Sequence, residues 1–193
     1  SQYKGALFKV INFGLESSPR GMKVKEVIYH RFQIDPNDNV ITIPGFETNL
    51  VYAKEELKWY LSGTNRIDFS PLIEKTWKKY SDDGQHVNSA YGYYLFGDGG
   101  WTIDDWVPQW NWVINKLTED PDSRQCVMNI NQLHHKNFPT KDFPCTIACQ
   151  VFIRQGKLYW ITYMRSQDLF YGTRNDVYCF TELQKKMAAE LGV

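Results

Sequence analysis

The chain has 193 residues with 22 basic and 22 acidic side chains, so its formal net charge is zero and it carries no basic footprint for a nucleic-acid polymer. No apolar run reaches the roughly 18 residues of a membrane span, and no signal peptide is expected. Thirty aromatic residues (11 Phe, 7 Trp, 12 Tyr) exclude a disordered segment; the expectation is one globular, cytoplasmic domain over residues 1–193.

In chain order, Val24–Ile34 alternates imperfectly and is rich in Val, Ile, Tyr and Phe, which predicts a strand. Ala53–Leu61 contains good helix formers and ends at Ser62-Gly63, a helix stop. Asp98-Gly99-Gly100 is a turn, and Thr102-Ile103-Asp104-Asp105 predicts a helix running to about Leu117, with Trp106, Trp110 and Val113 on one face. Asp120-Pro121-Asp122-Ser123 breaks the chain before a short strand over Cys126–Asn131. Cys149–Arg154 and Lys157–Met164 flank Gln155-Gly156 and read as a hairpin. Val177, Phe180, Met187 and Leu191 keep helical spacing, and Gly192 stands where a C-terminal cap belongs. Strands and helices mix without regular β-α-β alternation, which favours an α+β fold.

Some motifs lead nowhere. Pro144-Cys145 followed by Cys149 resembles half of a zinc-deaminase signature, but the spacing is one residue too long and no His-x-Glu occurs. Neighbours on a strand point to opposite faces, so His134-His135 would not chelate one ion. No metal is expected. There is no glycine-rich phosphate loop either, so any phosphate must be held by side chains.

The informative segments are Phe143-Pro-Cys145-Thr-Ile-Ala-Cys-Gln150 and Arg165-Ser166-Gln-Asp168-Leu-Phe-Tyr-Gly172-Thr-Arg-Asn175-Asp176. With them stand Glu56-Leu-Lys-Trp59-Tyr-Leu-Ser-Gly63, Trp77, Asn88-Ser-Ala-Tyr91-Gly92 and Asp120-Pro-Asp-Ser123-Arg124. As an ordered set, from about Gly14 to the last residue, they resemble the thymidylate synthase superfamily, and within it the bacteriophage-type deoxycytidylate (dCMP) 5-hydroxymethylases. The resemblance implies an α+β fold, a large mixed β-sheet with flanking helices, and a homodimer whose sheets pack back to back. It implies one-carbon transfer from 5,10-methylenetetrahydrofolate, as co-substrate, to C5 of a cytosine nucleotide, dCMP, followed by addition of water.

The resemblance also implies roles. Cys145 matches the nucleophile. C5 of a pyrimidine is unreactive until something adds at C6, and a thiolate does so well, so neighbouring cations should lower its pKa. Cys126, Cys149 and Cys179 read as buried structural cysteines. Glu56, rather than its neighbour Glu55, matches the proton-relay carboxylate, and Tyr91 would help remove the C5 proton through water. Asp176 stands where thymidylate synthases carry Asn. An ionised carboxylate only accepts, which suits the N4 amine of cytosine and a protonated N3 rather than uracil. Arg165 and Ser166 match the phosphate ligands, with Arg20 from a mobile loop and Arg124 from the other subunit. Relatives often carry two consecutive arginines where this chain has Arg124-Gln125. Trp77 and Tyr80 match the aromatic pair beside the pterin, and Asp168 and Gly172 match residues contacting folate and base; Gln150 reads as structural.

Relatives continue past the position of Val193 through a strand that reads the sugar hydroxyl and a tail that closes over folate, and neither is expected here. A ribonucleotide (CMP) hydroxymethylase, a thymidylate synthase or dCMP methylase, and a catalytically silent nucleotide-binding module of the same fold remain open on this sequence.

Overall fold

The computed structural model describes residues 2–100, 107–137 and 139–193. Helix α1 (Gln2–Phe13) leads into a small antiparallel hairpin of β1 (Leu15–Ser17) and β2 (Val24–Glu26). Helices α2 (Leu50–Leu61), α3 (Pro71–Trp77), α4 (Tyr91–Leu95) and α5 (Gln109–Glu119) follow. Then come β3 (Val127–Asn129), β4 (Thr146–Arg154), β5 (Lys157–Met164) and the long α6 (Gly172–Leu191). This is the α+β class expected.

Strands β3, β4 and β5 form one antiparallel sheet in that order. Because side chains alternate across a strand, Cys149 and Val151 of β4 and Leu158 of β5 are buried while Tyr159, Ile161 and Tyr163 are exposed. The two-residue turn is formed by Gln155 (φ 54°) and Gly156 (φ 67°), and Arg154 pairs with Lys157. Consecutive left-handed residues are what a twist-matched tight hairpin requires. Helices α5 and α6 cover the inner face, and α2 packs on α6 and α4. One core results, with Trp59, Ile73, Leu95, Val113, Met128, Val151, Leu183 and Met187 nearly inaccessible.

Helix α2 is capped by the Asn49 side chain, which accepts from the Tyr52 amide. It stops at Ser62-Gly63, where Gly63 takes φ +68°. Helix α6 ends on Gly192 in the left-handed conformation.

Three expectations are corrected. The predicted strand from Val24 ends at Glu26, and Tyr29 adopts φ 60°, incompatible with a continuing pleat. The helix predicted to run on from Thr102 does not pass through Val107-Pro108, and α5 begins at Gln109; a proline disfavours helical geometry at the residue before it, here Val107. Trp106 and the start of that predicted helix lie outside the described residues. His134 and His135 are not on a strand: they occupy a 3-10 turn over Leu133–Lys136, and both rings reach the Tyr94 hydroxyl, at 3.3 and 2.7 Å. The buried His135 accepts from the Gln132 amide and is pushed down to about 4, burial first and His134 second.

Candidate active site

Sheet pairing builds the centre of the site. Thr146 at the head of β4 pairs with Met164 at the end of β5. The residues just outside the ladder, Cys145 and Arg165, therefore meet. The Arg165 amide donates to the Cys145 carbonyl at 2.9 Å, and its guanidinium lies 3.8 Å from Cys145 Sγ. The same guanidinium donates to the carbonyls of Pro144 and Phe143, both at 2.9 Å. Cys145 is half-buried, whereas Cys126, Cys149 and Cys179 are buried.

Electrostatics at this thiol run against the expectation of a lowered pKa. Burial pushes the Cys145 thiol up; Arg165 and Arg20 pull it down, while Asp176 and Asp142 push it further up. Desolvation outweighs the cations. Arg20, in the β1–β2 connection, thus shares the electrostatic field of the thiol, and it holds a left-handed backbone at φ 52°.

Two carboxyls face the same space. Glu56, on the inner side of α2, is 4% exposed; burial and the neighbouring Asp176 push it up to about 8. Its Oε1 accepts from the Tyr52 hydroxyl at 3.1 Å, while Oε2 is buried with no hydrogen-bond partner among the described residues. Glu55, one residue earlier, instead pairs with Lys58 at 3.1 Å on the outside. Asp176 lies one turn inside α6 and is pushed up to about 7 by burial, against a 2.7 Å hydrogen bond from Gln167. Gly172, one turn earlier, makes room for it: a Cβ there would lie 3.2 Å from Asp176 Oδ2.

Tyr91, at the start of α4, is buried with its ring stacked on Phe180 at 5.8 Å. Its hydroxyl is pushed far up by burial, with Asp176 and Cys145 adding to the shift. The Trp77 indole N–H donates to the Tyr52 hydroxyl at 3.0 Å, so Trp77, Tyr52 and Glu56 form a continuous chain. Tyr80 meets the Trp77 ring edge-on at 5.8 Å and is 40% exposed.

Other candidate residues sit at the rim or elsewhere. Ser166 is exposed beside Arg165. Asp168 Oδ1 accepts from the amides of Phe170 and Tyr171, both at 2.7 Å, shaping the turn into α6. Arg124 is exposed; its carbonyl accepts from the Gln150 amide, well along β4 from Cys145. This chain's own Arg124 therefore does not join the thiol.

Two participants escaped the sequence reading. Tyr52 stands one helical turn before Glu56, a spacing that places both on one face of α2 and could have flagged it. Gln167 gave no signal, because its partner lies nine positions on, across an irregular turn.

The thymidylate synthase profile matches residues 1–193. The chain belongs to the thymidylate synthase family. It is 32% identical over 200 residues to a deoxyuridylate hydroxymethyltransferase of Bacillus phage SP01, covering 99% of this chain and 52% of that protein. It is 30% identical over 130 residues to the deoxycytidylate 5-hydroxymethyltransferase of Enterobacteria phage T4, covering 65% of this chain and 50% of that protein. The chain thus spans about half the length of these family relatives. Among its described residues no helix is long and apolar enough to cross a membrane.

Proposed function

We propose that this protein transfers a one-carbon unit from 5,10-methylenetetrahydrofolate to C5 of dCMP and completes the reaction by adding water, giving the 5-hydroxymethyl nucleotide. The observation that carries the reading is the buried carboxyl pair Glu56 and Asp176, the second of which also acts on the half-buried thiol of Cys145 beside Arg165.

The Cys145 sulfur forms a bond to C6, and the C5–C6 π pair moves to C5, which becomes nucleophilic. The folate, when bound, supplies a carbon at the oxidation level of formaldehyde. C5 bonds to that carbon; loss of the C5 proton expels tetrahydrofolate by breaking the carbon–nitrogen bond, and addition of water to the exocyclic carbon with departure of the sulfur from C6 leaves CH2OH in place of hydrogen. Tyr91 and Glu56 are the groups proposed to move these protons; Glu56, pushed up to about 8, can give and regain a proton near neutral pH. Asp176 reads the base, and Arg165, Ser166 and Arg20 hold the phosphate, for which a guanidinium fork is well shaped. Trp77 and Tyr80 fit a flat heterocycle, since Tyr80 offers an exposed ring braced edge-on by Trp77; the family likeness assigns Asp168 and Gly172 to contacts with the folate and the base.

The protein acts as a homodimer in this reading. The outer face of the sheet exposes Tyr159, Ile161 and Tyr163, an apolar face suited to a second copy, and Arg124 lies on β4's flank where it would serve the partner's phosphate. A second reading, the same transfer to dUMP, is favoured by the likeness to the SP01 protein along nearly the whole chain and by the elevated pKa of Asp176, whose protonated form can donate to O4. A host-cell cytoplasmic setting goes with either.

Mass spectrometry of products after incubation with methylenetetrahydrofolate and dCMP, CMP or dUMP separately tests the proposal. Gain of CH2O on dCMP is expected. Gain of CH2 would mean reduction and a methylase or synthase, and gain of CH2O on CMP or dUMP alone would move the substrate.

A further inference from the structure

Gln167 lies in the irregular segment between β5 and α6, among residues read as phosphate and folate ligands. Its own side chain turns inward. The amide nitrogen donates to Oδ2 of Asp176 at 2.7 Å. The glycine at 172 leaves the space the pair needs: a Cβ there would approach Oδ2 to 3.2 Å and the Gln167 nitrogen to 3.5 Å. One carboxyl oxygen is therefore gripped by a donor before any base arrives.

That grip has a chemical consequence. To read uracil, a carboxyl must be protonated, donating to O4 and accepting from N3–H; to read cytosine with N3 protonated, it must accept at both oxygens. An N–H donor bonds an ionised carboxylate more strongly than a neutral acid. We propose that Gln167 is a specificity residue that acts through Asp176: its amide fixes the orientation of the carboxyl and favours the acceptor-only form, and so biases the site toward cytosine over uracil.

The inference rests on Asp176 being the base-reading residue. It also requires that no other group around Asp176 already does the same work. Those facing it are Glu56 and Tyr60 of α2, Tyr91 of α4, Cys145 before β4 and Cys179 of α6. None of them is a cation that could favour the carboxylate, and Tyr60, Tyr91 and Cys179, pushed far up by burial, stay neutral; burial is what pushes Asp176 up, and the Gln167 hydrogen bond opposes it. Among the described residues, Gln167 is the donor bonded to it.

The test is the ratio of kcat/KM for dCMP to that for dUMP, and the matching ratio of nucleotide dissociation constants, from mildly acidic to mildly alkaline pH. Wild type is compared with Gln167→Met, Asp176→Asn and the double variant. Gln167→Met keeps length and loses the donor, and thermal melting checks that it folds. It should lower the dCMP preference by about tenfold near neutral pH and move the pH at which preference changes upward. In the Asp176→Asn background, Gln167→Met should leave the ratio unmoved, because no carboxyl remains to bias. A ratio that falls in Asp176→Asn but not in Gln167→Met overturns the role of Gln167 alone. A ratio unmoved by Asp176→Asn, or neither nucleotide bound or transformed by wild type, overturns the base-reading assignment and this inference with it.

Discussion

The guanidinium of Arg165 stands 3.8 Å from Sγ of Cys145, and the two backbones are joined by a 2.9 Å hydrogen bond at the open end of the β4–β5 ladder. The proposed nucleophile and the guanidinium beside it are thus set by strand register, so their spacing inherits the rigidity of the sheet. Because burial dominates the thiol's elevated pKa and Arg165 is the first group to oppose it, removing that charge should raise it further. Arg165→Gln should slow alkylation of Cys145 by iodoacetamide at neutral pH by severalfold, about tenfold for each pKa unit gained. Arg165→Lys should retain most of the rate. Equal alkylation in all of them would show that the charge does not act on the sulfur.

Cys145→Ser should retain nucleotide binding and lose exchange of the C5 hydrogen with solvent by about a thousandfold or more, the scale of removing a nucleophile. Tritium release from 5-labelled dCMP checks this. Wild-type release would take Cys145 out of the chemistry.

Glu56 makes a prediction about stability. Its pKa is raised from an ordinary 4.5 to about 8 in the folded protein, so the folded state binds this proton more tightly than the unfolded state. Its favourable contribution is fully present below about pH 4.5 and is lost as pH rises through about 8. Glu56→Gln removes the titration. The melting temperature of the variant relative to wild type should therefore climb steadily across that interval, and a flat or falling difference would contradict the burial of an uncompensated carboxylate.

Tyr52→Phe probes the same carboxyl from the other side. The phenol donates to Oε1, which favours the ionised form and lowers the Glu56 pKa. Without it, the limb of the pH–rate profile controlled by Glu56 should move to higher pH, with kcat affected more than KM. The Trp77 indole would lose its acceptor as well, so a shift in tryptophan emission should accompany the change.

Much of this architecture is legible in the chain because it is local. The Gln155-Gly156 hairpin, the Gly192 cap and the Gly63 stop each rest on a backbone conformation that nearby residues demand. The positions of Cys145, Glu56, Asp176 and Arg165 follow from family motifs, and pattern alone would not have gathered them. What escaped is tertiary. Neither the early end of β2 at Glu26 nor the 3-10 turn that turns both histidines onto Tyr94 follows from residue type. The sign of the thiol's shift escaped for the same reason: sequence displays the arginines but not the desolvation around the sulfur.

Gly92 offers the sharpest test of packing. It opens the short helix α4 next to Tyr91, and α4 crosses α2 there so closely that a Cβ would lie 2.1 Å from the Tyr60 carbonyl oxygen and 2.3 Å from its Cα. These are backbone atoms inside a helix, which no rotamer change can move. Gly92→Ala must therefore push α4 from α2, at a cost of about 3 kcal/mol or more. Since α2 carries Glu56 and α4 carries Tyr91, the displacement should separate the two groups proposed to move protons even if the fold survives. Chemical denaturation should show the lost stability, and C5-hydrogen exchange at low temperature, where the variant remains folded, should fall with it. An alanine here with unchanged stability would mean that the two helices do not meet as closely as their backbones indicate.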